Sequence, residues 1–173
     1  MTMVPNVTFA FRQGDEEPTD GGCPIGGEFV FKTSNDLFAG KRVIVFALPG
    51  AYTPTCSTYQ LPGFEEGYAD FKAKGIDEIY CLSVNDAFVM NEWATRLGIK
   101  NIKMIPDGAC AFTDGMNMTT DLSVIGFGKR SKRYAMIVNG GEIEKMFAEP
   151  DATPDNSDPY GVSSPESVMK YLG

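Results

Sequence analysis

The residues Arg42 to Leu48 (RVIVFAL) form an unbroken apolar run after the first arginine, with no helical spacing of polar positions. Such a run predicts a strand buried on both faces. Glu78 to Val84 (EIYCLSV) predicts a second central strand, and Ile102 to Ile105 a shorter one before the turn Pro106-Asp107-Gly108. Tyr134 to Val138 and Glu142 to Ala148 flank Asn139-Gly140-Gly141, which predicts a hairpin. Helical spacing runs from Ser57 to Lys74, closed by Gly75, and from Asp86 to Leu97, capped by Asn85 or Asp86 and followed by Gly98. A short helix is expected over Phe112 to Met118. Ser164-Pro165-Glu166 opens a last helix through Leu172.

The N-terminal part is less regular. Residues 5 to 11 alternate loosely at Val7, Phe9 and Phe11, which suggests an edge strand. Asp15 to Gly27 is a loop rich in glycine, proline and acids. Phe29 to Lys32 reads as a short strand and Thr33 to Ala39 as a turn or short helix, closed by Gly40-Lys41. Glu149 to Tyr160 is an acidic, proline-rich loop. The order β-α-β-α-β, then a hairpin, then a helix, matches a thioredoxin-like α/β fold with a mixed sheet flanked by helices. No internal repeat or linker divides the chain, so one domain over residues 1–173 is expected.

Composition narrows the function. The 173 residues are 43% hydrophobic and 22% charged, ordinary for a globular chain long enough to bury a core. The net charge is −8, and basic residues cluster only at Lys129-Arg130 and Lys132-Arg133. Binding to nucleic acid or to an anionic membrane surface is not expected. No apolar run approaches the ~18 residues of a membrane span. Residues 1–20 lack the basic and apolar regions of a signal peptide. Histidine is absent, and Cys23, Cys56, Cys81 and Cys110 are scattered without CxxC spacing. A zinc site is therefore not expected, His-dependent nucleophilic machinery is excluded, no cofactor is expected, and a reducing cytoplasm fits best.

One cysteine stands apart. Pro49-Gly50-Ala51-Tyr52-Thr53-Pro54-Thr55-Cys56 links the first buried strand to the first long helix. A thiol at a helix N-terminus meets unpaired N–H groups that favour the thiolate. The plain alternative is a small buried hydrophobe. Against it stand the stiff proline- and glycine-rich loop, the Thr53 hydroxyl and the polar Ser57 and Thr58. Without histidine, activation of Cys56 must come from backbone dipoles, hydroxyls and arginine.

The string Pro49 to Cys56, followed by Leu61-Pro62-Gly63-Phe64, resembles the active-site segment of the type II, peroxiredoxin-5-like peroxiredoxins. Ile79 to Met90 (IYCLSVNDAFVM) is similar to the second block of that family, and Gly126 to Tyr134 (GFGKRSKRY) to the third. The likeness runs from about Asp36 to the C-terminus. It implies a thiol peroxidase that reduces hydrogen peroxide and alkyl hydroperoxides through a sulfenic acid at Cys56. It further implies that Arg133 supplies the guanidinium beside the sulfur, whereas by itself Arg133 reads equally as a surface charge. Pro49 would shield the site and Thr53 would donate a hydroxyl. Tyr52 and Thr55 would belong to the substrate pocket, Tyr52 being otherwise a plain core aromatic.

Cys81 stands at the resolving position of plant-type members, yet it falls on a predicted buried strand, so resolving cysteine and core residue both stay open. In the second case glutathione, a glutaredoxin or thioredoxin, as separate molecules, would regenerate Cys56. Gln60 occupies a position where many relatives carry histidine. The resemblance also implies a homodimer, for which Tyr52, Phe88 and Phe127 are candidate contacts, the alternative being that they are simply buried. The competing classes are a peroxide sensor or redox-controlled binding protein using the same sulfur, a disulfide reductase, which the missing CxxC disfavours, and a purely structural domain.

Overall fold

The computed structural model describes residues 2–173. Five strands form the central sheet in the order β5-β4-β3-β8-β9: Lys103–Pro106 (β5), Glu78–Ser83 (β4), Arg42–Ala47 (β3), Tyr134–Asn139 (β8) and Glu142–Ala148 (β9). β3, β4 and β5 are parallel, whereas β8 runs antiparallel to β3 and to β9. The inner strands are apolar throughout because both faces are covered. Ile44, Phe46 and Leu48 point into one core with Phe64, Phe71, Trp93 and Val168. Val43, Val45 and Ala47 point into the other with Phe9, Phe38 and Phe112. Alternate side chains of one strand therefore feed two cores.

The first core lies under α2 (Leu61–Glu66), α3 (Tyr68–Ala73), α4 (Ala87–Arg96) and α6 (Pro165–Leu172). The second is closed by α1 (Ser34–Phe38), α5 (Ala111–Gly115) and β1 (Thr8–Gln13). The Asn139-Gly140-Gly141 turn joins β8 to β9 as expected, with positive φ at both glycines.

Three expectations change. The strand expected over residues 5–11 lies at Thr8–Gln13 and is not an edge of the main sheet. It pairs with β2 (Glu28–Thr33) as a separate two-stranded ribbon. The single helix expected over Ser57 to Lys74 is instead a π-helical turn, Cys56–Gln60, continued by α2 and, after Gly67, by α3. Pro62 has no N–H to close an α turn onto Thr58, and the chain widens so that the Leu61 N–H reaches the Cys56 carbonyl. Finally, residues between α5 and β8 form a small ribbon, β6 (Thr119–Asp121) with β7 (Lys129–Ser131), that no periodicity announced. With three residues per strand and a polar composition, it leaves no alternation to read.

Candidate active site

At the end of β3 the Leu48 N–H still pairs with the Leu82 carbonyl, 3.3 Å away, and the chain then leaves the sheet through Pro49 to Thr53. Two neighbours clamp this loop. Asn85 Oδ1 accepts from the Ala51 N–H at 3.0 Å and from the Ser83 hydroxyl at 2.6 Å. Arg130 donates to the Pro49 carbonyl at 3.4 Å. A Cβ on Gly50 would lie 2.8 Å from Arg130 Nη1, so a larger residue there would push that guanidinium aside. Asp86, not Asn85, caps α4 by accepting from the Val89 N–H. Asn85 is thereby released to hold the loop.

Helical geometry begins at Pro54, which puts Cys56 in the first turn, at the junction the pattern predicted. Its side chain is fully buried and its thiol is free. Trp93 Nε1 donates to the adjacent Ser57 hydroxyl at 3.0 Å and pins the turn against α4.

Arg133, immediately before β8, reaches the same place from the other side of β3. It is a buried cation at 4% exposure, not a surface charge. Its Nη2 lies 3.4 Å from Cys56 Sγ and 2.6 Å from Asp158 Oδ1. Its Nη1 donates to Gln60 Oε1 at 2.6 Å. Its Nε is buried with no hydrogen-bond partner among the described residues. Burial works against the guanidinium charge, but the Cys56 and Asp158 charges outweigh it, and Arg133 holds its proton more tightly than a free arginine. Gln60 is itself fully buried, and its Nε2 donates to the carbonyl and hydroxyl oxygens of Ser163, each at 3.4 Å. Glu149 Oε1 holds that residue in turn, accepting from the Ser163 N–H and hydroxyl at 2.8 Å. A cavity of about 60 Å³ opens beside Arg133, lined among others by Pro49, Ser131, Glu149, Ser157 and Asp158.

Not every expected residue faces the sulfur. The Thr53 hydroxyl donates to the Gly50 carbonyl at 2.7 Å, which leaves its oxygen lone pairs free. Thr55 is half-buried in the first helical turn. Tyr52 adopts a left-handed backbone (φ 65°), is 46% exposed, and leans toward Trp93 at a ring distance of 6.5 Å. At that exposure it is not a core aromatic. Cys81 is buried on β4 opposite Phe46, in the same apolar cluster as Cys56. Burial first, and then the charge at Cys56, push its thiol well above the ordinary range, with Arg133 pulling weakly the other way.

Gln60 and Asp158 are the residues sequence reasoning missed as partners of the arginine. Gln60 carried a signal, since it replaces a family histidine. Asp158 carried none, being one acid among several in an irregular loop.

A buried thiol beside a buried guanidinium with one unused donor can attack a small electrophile and hold the charge that develops on it. Comparison with known proteins agrees. A profile described as redoxin matches residues 27–162. A peroxiredoxin of Rhizobium etli is 54% identical, with 99% of this chain and 97% of that one aligned. The hybrid peroxiredoxin hyPrx5 of Haemophilus influenzae is 47% identical over 98% of this chain and 64% of its own length. Among solved structures, reduced Prx3 of Vibrio vulnificus in complex with H2O2 superposes with a TM-score of 0.82 at 35% identity, covering 99% of this chain and 97% of that one. The chain thus belongs to the redoxin family, within it to the type II, peroxiredoxin-5-like peroxiredoxins, and is a thiol-dependent peroxidase of thioredoxin-like fold.

Proposed function

We propose that Cys56 is the peroxidatic nucleophile, that hydrogen peroxide and small alkyl hydroperoxides are its substrates, and that an external thiol regenerates it. The observation that carries this reading is the contact of Arg133 with Cys56 Sγ, in a site where the Arg133 Nε donor is left unused. The thiolate attacks one peroxide oxygen, an S–O bond forms, and the O–O bond breaks. The second oxygen leaves as hydroxide or alkoxide and takes a proton from water. Arg133 favours the thiolate beforehand, and its free Nε–H is the donor for a peroxide oxygen. Pro49 shields the sulfur from solvent. With the Thr53 hydroxyl proton committed to Gly50, the Thr53 oxygen is an acceptor for the hydroxyl of the incoming peroxide. The first-turn N–H groups at Thr55 and Cys56 add positive potential.

The resulting Cys56 sulfenic acid reacts with one external thiol to give a mixed disulfide and water, and a second thiol releases Cys56. Glutathione with a glutaredoxin, or thioredoxin, fits that role. Cys81 fits a core position, because a fully buried thiol whose proton is held more tightly than usual is a poor attacking group. A single domain in the cytoplasm, acting as a homodimer, is consistent with the scattered free cysteines and with partly exposed Tyr52, Phe88 and Phe127. Among the described residues no helix is long and apolar enough to cross a membrane.

The test is peroxide consumption with glutathione and a glutaredoxin. Cys56→Ser is expected to abolish turnover and Cys81→Ser to keep it. Loss of turnover in both would make Cys81 the resolving cysteine, and full activity in Cys56→Ser would remove the whole reading.

A further inference from the structure

After β9 the chain crosses the active site as a strap, Glu149 to Tyr160. It is tied at one end by the ion pair of Asp151 with Lys132 at 2.6 Å. At the other end the Tyr160 ring lies 5.8 Å from the Arg133 guanidinium carbon and stacks near Tyr59. From the same end of this strap, two residues before Tyr160, Asp158 reaches the nitrogen of Arg133 that also contacts Cys56. The carboxylate is the nearer of the two acceptors, at 2.6 Å against 3.4 Å for the sulfur.

We propose that Asp158 is a positioning residue that restrains the reacting thiol: its carboxylate takes up part of the Arg133 charge that would otherwise serve the Cys56 thiolate. The proposal rests on the reading of Cys56 and Arg133 given above. Asp158 is not needed to keep Arg133 in place. Gln60 fixes the opposite guanidinium nitrogen, and the side chain is buried at 2% exposure between the two. What Asp158 adds is charge. Interactions between charges strengthen as water is excluded, and Arg133 is buried. Asp158 is 40% exposed, so its effect is partly screened and modest. The titratable and charged groups around the Cys56 sulfur and its guanidinium are Arg133, Asp158, the Cys81 thiol and Tyr160, with Glu149, Asp151 and Lys132 lining the cavity beside Arg133. Among them Asp158 brings the one carboxylate in contact with the arginine. A negative group on the guanidinium nitrogen that also contacts the sulfur disfavours the thiolate, and it also disfavours the anion that departs when the O–O bond breaks. The strap therefore tunes how readily the site fires.

The experiment follows the loss of free thiol at Cys56 after mixing with hydrogen peroxide, across a pH series, in wild type, Asp158→Asn, Asp158→Ser, Asp158→Glu and Asp155→Asn. Removing the charge leaves more of the Arg133 field for the thiolate. Asp158→Asn and Asp158→Ser are expected to move the acid limb of the rate profile to lower pH by about half a unit, an approximately threefold faster reaction below the limb. Asp158→Glu is expected to stay with wild type. Asp155→Asn, which removes an equal charge from the same strap away from Arg133, is expected to do the same. An unmoved limb in both neutral variants, or a shift to higher pH, overturns the proposal. A Cys56→Ser control separates the two layers of the argument: if it still consumes peroxide, the assignment of Cys56 is wrong, whereas its inactivity together with an unmoved limb condemns only the role of Asp158.

Discussion

Gln60 closes the π-helical turn yet makes no contact with solvent, and its two amide ends are divided between Arg133 and Ser163. Truncation would leave a guanidinium N–H and the Ser163 carbonyl buried without partners. A buried polar group left unpaired costs about 1–3 kcal/mol. Gln60→Ala is therefore expected to lower stability by roughly that amount, and also to slow peroxide reduction by about tenfold, because Arg133 would no longer be fixed against the sulfur. Rate measurements below the melting range separate the two effects. A destabilised variant with an unchanged rate would show that Gln60 only packs. The residue type was plain in the sequence, whereas its partner lies 73 positions away and could not be read from spacing.

At the scale of the element, the π-helical turn is the unusual feature. An α-helix starting at Pro54 would place Cys56 and Gln60 on one face in register, but Pro62 denies that register one hydrogen bond. The wider turn carries Cys56 inward beneath the end of β3, where Arg133 meets it. Pro62→Ala would restore the missing donor and let the turn close as an α-helix. The expected outcome is unchanged or higher thermal stability with a clearly slower reaction at Cys56. Equal rates would show that the sulfur's position does not depend on the widened turn. The elements themselves were largely legible: β3, β4, the β8–β9 hairpin, α4 and α6 all follow apolar runs, caps or the Asn-Gly-Gly turn. The β1–β2 ribbon was misplaced because loose alternation gives a strand without naming its partner. The π turn was missed because helical periodicity over Ser57 to Lys74 hardly changes when one turn gains a residue.

For the whole molecule, burial reaches several tyrosines, Tyr80 and Tyr134 in the core closed by α1, α5 and β1, and Tyr160 in the strap. Burial, with Glu78 nearby, holds the Tyr80 hydroxyl up to about 12. Tyr160 is also pushed up to about 12, chiefly by burial, and Tyr134 is raised by burial at the centre of the sheet. In the unfolded chain tyrosine ionises near ~10. Above that pH the unfolded state releases protons that the folded state retains, so stability falls as pH rises. This contribution is fully present below ~10 and is lost progressively toward about 12. A denaturant midpoint followed through that window is expected to drop, and Tyr134→Phe is expected to drop less steeply. The Tyr134 hydroxyl has no hydrogen-bond partner among the described residues, so the substitution is expected to cost little at neutral pH. An identical alkaline slope in wild type and variant would count against this account.

The sequence by itself determined the mixed α/β architecture, the placement of Cys56 between a buried strand and a helix, and the likeness that drew Arg133 toward it. These rest on local chemistry: apolar runs, caps, turn residues and one reactive side chain in a stiff loop. Tertiary structure alone decided which groups share the guanidinium. Cys56 and Gln60 lie about a hundred residues before Asp158, and the three meet because β8 pairs antiparallel with β3 and the strap after β9 folds back over the pair. It also turned Tyr52 outward and put Cys81 in the same core cluster as Cys56. Such outcomes depend on long-range packing, where a side chain's surroundings are set by residues far away in sequence, and no local pattern encodes them.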